Sequence, residues 1–132
     1  MRGLHDTKRI KKVQAWVDDA AKRMHVIRSV FVAPEFCAGD AHAEISDSDF
    51  NMRITLGIGF FDLTPAMQRD VLTHEICHVY FEGFDEILKV FMVGVLIPKD
   101  VKRLKALMLV KEHEVIDLLM RTIAPSLPLP KF

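Results

Sequence analysis

No apolar run in this sequence is long enough to cross a bilayer. The most apolar stretch, Val90 to Ile97, falls well short of the roughly 20 residues that a membrane-spanning helix needs. Cysteine is scarce as well. Cys37 and Cys77 are the only two, too few for the dense, even set that staples small secreted folds. Net charge is also missing. The 18 basic and 18 acidic side chains cancel, so nothing argues for bulk attraction to nucleic acid or to an anionic membrane. The opening Met1-Arg2-Gly3-Leu4-His5-Asp6 has no apolar core. No secretory leader is therefore expected there, and a reducing, cytoplasmic location is the default expectation. Repeats and low-complexity tracts are absent too.

What remains is a chain of 132 residues, half of them apolar. That length suits one domain, and that composition can bury a core without disulfides. The first third is locally basic, with Lys8, Arg9, Lys11, Lys12, Lys22, Arg23 and Arg28. Such a run reads as a solvated helix face before it reads as a phosphate patch.

Val13, Trp16, Val17, Ala20, Ala21 and Met24 recur at helical spacing, which predicts a helix from residue 6 to about 25. Val26 to Ala33 is rich in β-branched residues and predicts a strand stopped by Pro34. Glu35 to Asp40 reads as a loop, Ala41 to Ile45 as a short second strand, and Ser46 to Asp49 as a turn. Met52, Ile54, Leu56 and Ile58 then alternate with Asn51, Arg53, Thr55 and Gly57, the period of a half-buried strand. Thr64-Pro65 opens a helix, because threonine caps free amides and proline at the first position loses no hydrogen bond. That helix is expected to reach Glu82 and stop at Gly83. A short helix can follow over Phe84 to Val93, and Gly94 and Pro98 bracket a break. A long helix then runs from Pro98 or Lys99 to about Ile123. The tail, Pro125 to Phe132, holds three prolines and reads as extended. Its Pro125-Ser126-Leu127-Pro128 fits PxxP, read here as an ordinary proline-rich tail. The order of elements predicts a single α+β domain with a small, largely antiparallel or mixed sheet.

The stretch Leu72-Thr73-His74-Glu75-Ile76-Cys77-His78-Val79-Tyr80 contains the pattern HExxH. Residues four apart on a helix share a face about one turn apart, so His74 and His78 can reach one zinc at about 2.0–2.1 Å. Glu75 is poorly placed to be a ligand from the same turn. It can instead take a proton from a water on the metal. Apart from Glu75, residues 71–73 and 76–81 carry no formal charge, which allows partial burial. Cys77 reads as a small packed side chain within the motif helix.

Catalytic zinc takes three protein ligands and keeps one position open. The short-range pattern with Gly and His downstream is excluded, because Phe81 and Phe84 stand there. Asp85 is one residue late for its aspartate version, and Glu82 cannot easily share a metal with both histidines. In the last helix, with Val101 taken as the origin, Leu104, Met108, Val115, Leu119 and Ile123 cluster within about 60° of it. Glu112 falls inside that stripe and Glu114 points away. A carboxylate on an apolar face is costly unless paired or on a metal, so Glu112 is the candidate third ligand. A salt bridge to Arg53 or Arg69 is the alternative. His113 and Asp117, one turn apart, can serve as outer partners of the ligands or face solvent.

HEICH together with EHEVID in the final helix resembles the gluzincin group of zinc peptidases, over roughly residues 40 to 123. The small single-domain members, the minigluzincins and prophage-encoded peptidases of this kind, share the order of N-terminal helix, small sheet, motif helix and final helix. The resemblance implies a zincin-like domain. Separately, the apolar stretch from Gly83 to Pro98, which links the two ligand-bearing helices and is bracketed by Gly83, Gly94 and Pro98, is expected to form a wall or lid of the cleft, with simple core packing as the alternative. The resemblance also implies zinc held by His74, His78 and Glu112, with Glu75 as general base. It further implies a peptide or protein substrate bound in extended form against the strand from Met52 to Gly59. Tyr80, His42 and His113 are the candidates for stabilising the transition state. Three other readings compete. Glu75-Ile76-Cys77-His78 fits the ExxH of di-iron bundles, but no second ExxH exists. A zinc-binding regulatory module without turnover, or a nucleic-acid-associated peptidase, would keep the same motif.

Overall fold

The computed structural model describes residues 2–39, 41–45, 51–81, 94 and 97–132. The expected turn at Ser46 to Asp49, the expected short helix from Phe84 to Val93 and most of the expected lid from Gly83 to Pro98 lie outside these residues. Helix α1 spans Arg2–Arg23, four residues earlier at its start than its apolar spacing indicates. Its inward face is the predicted one, with Val13, Val17, Ala20, Ala21 and Met24 buried. The helix closes on His25, a non-glycine residue with φ of 58°. His25 N–H donates to Lys22 O and Val26 N–H to Ala21 O, the paired bonds that satisfy a helix end when the chain turns left-handed.

Three strands follow, β1 (Val30–Cys37), β2 (Ala41–Ile45) and β3 (Met52–Gly57). They form one mixed sheet in the order β1-β3-β2. β1 pairs with β3 in parallel, and β2 pairs with β3 antiparallel. Two sequence expectations are corrected here. β1 does not stop at Pro34. It runs through the proline into the expected loop, with a shift of register between Val32 and Phe36. Proline is tolerated in a sheet at an edge or a bulge, and β1 offers both. The strand at Met52 is central, so it cannot be the edge that receives an extended peptide. Among the described residues the edges are β1 and β2.

β3 keeps its predicted alternation. Met52, Ile54 and Leu56 are fully buried, while Arg53 and Thr55 are half-buried. Ile58 departs from the pattern at 77 % exposure, because the strand ends at Gly57. At the other edge, the Gln14 side chain reaches across from α1. Its Nε2 donates to Val30 O, and its Oε1 accepts from Val32 N, both at 2.7 Å.

A 3-10 turn, Phe60–Asp62, leads to α2 (Pro65–Cys77). The last helix, α3, spans Pro98–Ile123, as its sequence predicts. The tail is less detached than its prolines indicate. After a 3-10 turn at Ala124–Ser126, Leu127 and Pro130 are buried. The Trp16 indole donates to Pro128 O at 3.0 Å, and Phe132 stacks beside Phe60 and Phe61. One core therefore joins α1, the sheet, α2, Ile116 of α3 and Leu127. Among the described residues, no helix is long and apolar enough to cross a membrane.

Candidate metal centre

α2 starts as its sequence predicts. The Thr64 hydroxyl accepts from Met67 N–H, and Pro65 fills the first turn. Leu72, Ile76 and Cys77 are fully buried. That anchors the rotation of the helix and so decides which way the motif faces. The helix ends sooner than expected. Its last residue is Cys77, and His78 takes the cap with its N–H on Glu75 O and Ile76 O. Residues 79–81 resume helical geometry after that turn. The motif therefore sits at the end of α2, not in its middle. The i, i+4 relation survives, with the His74 and His78 ring centroids 5.2 Å apart.

α3 crosses this end of α2 and brings three polar side chains to it. Asp117 Oδ1 lies 3.0 Å from His74 Nδ1. Because an ionised carboxylate only accepts, the His74 Nδ1–H donates, and in the neutral ring that tautomer carries its lone pair on Nε2. Glu112 Oε1 lies 3.6 Å from His78 Nδ1, long for a hydrogen bond but close enough for its charge to act on the ring. His113 turns its ring toward both motif histidines, at 5.9 Å from His74 and 5.3 Å from His78 between centroids. Its Nδ1–H donates to Leu109 O at 2.9 Å, which also leaves Nε2 as an acceptor. One ligand atom from each of His74, His78 and His113 falls in a group no more than 4.8 Å across. That donor set suits zinc, which favours imidazole nitrogen.

The apolar stripe on α3 packs in part as its sequence predicts, with Leu119 and Ile123 set against the core. Leu104 and Val115 are exposed, and Ile116 is the buried residue of the helix. Ile116 lies about 60° round from Val101 at about 100° per residue, toward His113. Arg53 pairs with Glu35, and Arg69 approaches Asp70, while the Glu112 carboxylate is placed beside His78.

Glu75 is buried, at 8 % exposure, yet it lines a cleft of about 330 Å³. The other walls are Ala41 of β2, Asp70, Val71 and His74 of α2, and Met120 of α3. Glu75 thus opens beside a metal-competent imidazole and below the edge strand β2. Tyr80 is directed elsewhere, since its hydroxyl donates to Met24 O at 2.8 Å at the end of α1. The Tyr80 phenol is raised by burial and by the neighbouring Cys77. Burial alone pushes the Cys77 thiol up to about 11, so it stays neutral and is no rival ligand. The side chain of His42, and Glu82 and Asp85, lie outside the described residues. Comparison with protein-family models, with curated proteins and with solved structures returned no match.

Proposed function

We propose that this chain is a zinc-dependent metallopeptidase, with Glu75 as general base and the metal held by His74, His78 and a third side chain from α3. One observation carries the reading. The motif carboxylate lines the cleft beside His74, whose Nδ1 is hydrogen-bonded to Asp117 and which offers a ligand atom to the group formed with His78 and His113. A bound zinc would acidify a water molecule and polarise the scissile carbonyl. The chain's own groups do the rest. Glu75 accepts the proton as the water oxygen attacks the carbonyl carbon, and its burial keeps it close to that water. The same carboxyl then delivers the proton to the leaving nitrogen as the C–N bond breaks. Asp117 holds the imidazole of His74 in one orientation.

The extended substrate is assigned to the outer edge of β2. That strand lies against α2 and contributes Ala41 to the cleft, and no further strand pairs beyond it among the described residues. Strand addition there would set a peptide antiparallel or parallel to β2 and pass its backbone over Glu75.

The test is Glu75→Gln in zinc-loaded protein. It should keep zinc and fold but lose hydrolysis of a peptide-library substrate, because an amide cannot take the proton. Equal cleavage by the variant would remove Glu75 from the chemistry. Zinc binding with no cleavage anywhere in the library by the wild type would leave a zinc-binding module without turnover.

A further inference from the structure

We infer that His113 supplies the third metal-binding side chain, and that Glu112 and Asp117 are the carboxylates that orient the two motif imidazoles. The inference rests on the zinc reading above and names the donor set of that site. It departs from the ligand set of two histidines and Glu112 that the resemblance implies.

The geometry divides the four α3 groups near the site into two kinds. His113 presents a ring, and its ligand atom joins those of His74 and His78 within 4.8 Å. Zinc at about 2.0–2.1 Å from each nitrogen would draw tetrahedral ligands to about 3.4 Å apart. Small rotations of the three rings close that difference. The other groups stand behind the rings. Asp117 meets His74 at Nδ1, Glu112 faces His78 at Nδ1, and Leu109 O meets His113 at Nδ1. Each Nδ1 thus has an oxygen near it, at 3.0 Å for His74, 3.6 Å for His78 and 2.9 Å for His113, and a metal taken up by the cluster would be met by the opposite ring nitrogens. That is the arrangement in which outer acceptors fix the tautomer and raise the basicity of metal-bound imidazoles. A ligating Glu112 would have to leave its place beside His78 Nδ1, 3.6 Å away.

Helix geometry gives the same division. His113 and Asp117 are one turn apart, so one face of α3 delivers a ring to the centre and a carboxylate to the back of His74. Leu109, one turn earlier, holds that ring through its carbonyl. Three neutral imidazoles would leave the full double charge of the cation facing Glu75 and the cleft, whereas a carboxylate ligand would halve it.

Zinc K-edge X-ray absorption on the full chain, loaded with one equivalent of zinc, reads the number of imidazoles directly. Three are expected in the wild type, two in His113→Ala and three in Glu112→Ala. Competition with a chromophoric chelator should show zinc affinity falling by more than about 100-fold in His113→Ala. The fall in Glu112→Ala should stay within the about 10–100-fold typical of an outer partner. Far-UV circular dichroism checks the fold of each variant, and the wild-type spectrum decides even if one fails to fold. Two imidazoles with a carboxylate on bound zinc would overturn the assignment of His113 and leave the peptidase reading standing. A wild type that takes up no zinc would overturn both.

Discussion

The two helices that meet at the candidate metal centre are held in different ways. α2 is embedded. Leu72, Thr73, Ile76 and Cys77 are fully buried, and the helix packs against α1, β2 and α3. α3 is twice as long but lies mostly outside the core. Ile116 is its buried residue, while Leu107, Leu109, Val110 and Leu118 are each more than half exposed. The orientation of His74 and Glu75 is therefore fixed by the core before any metal arrives. α3 is held by Ile116, by Leu119 and Ile123 set against the core, and in addition by polar contacts across the site, Asp117 on His74 and Glu112 beside His78. A site assembled this way couples a helix to the body through its ligands. Its metal would act as a clamp as well as a cofactor, since whatever binds only the folded state stabilises it.

The contrast can be broken by substitution. The largest effect is expected at Ile76→Ala, which should cost about 2–5 kcal/mol in urea denaturation, as deletion of a fully buried branched side chain does. A loss below about 1 kcal/mol would mean that α2 is not anchored as described. Asp117→Asn should come next. It keeps the shape but weakens the acceptor that holds His74, so zinc affinity should fall by about 10–100-fold, with the melting temperature of the metal-free protein nearly unchanged. An unaltered affinity by chelator competition would reduce the His74–Asp117 contact to a half-exposed surface pair of little worth. The smallest effect is expected at Leu107→Gln on the outer face of α3. It should stay within about 0.5 kcal/mol of the wild type, and a larger loss would show that this face is covered by another part of the chain.

Much of α2 and β3 can be read directly from their residues, because several local signals agree there. Thr64-Pro65 marks the start of α2, the HExxH spacing sets one face, and the alternation from Met52 to Leu56 sets one face of β3. The rest depends on contacts that no local pattern encodes. Pro34 reads as a stop only if its strand is central, and strand order is a long-range property. The prolines of the tail announce extended backbone but say nothing of the Trp16 indole that ties it down. On α3 the apolar residues of the first half, Leu104 and Leu107 among them, are exposed. The second half of the same stripe, Leu119 and Ile123, does pack on the core, with Ile116 beside it about 60° round from Val101. The useful signal is the i, i+4 pair His113 and Asp117, which places an imidazole and a carboxylate on one side of a helix.

The reach of Gln14 across to Val30 and Val32 has a consequence for how copies of this chain can meet. A sheet with two open edges can add a neighbour at each and so grow without limit, the route to fibres. Here the side-chain amide of Gln14 occupies the donor and acceptor that β1 would offer at Val30 and Val32. Pro34 brings no N–H, and the register shift that follows bends the strand away from a straight template. Among the described residues this leaves the outer side of β2 as the more open edge, and pairing through one edge per molecule would close a pair rather than propagate a chain.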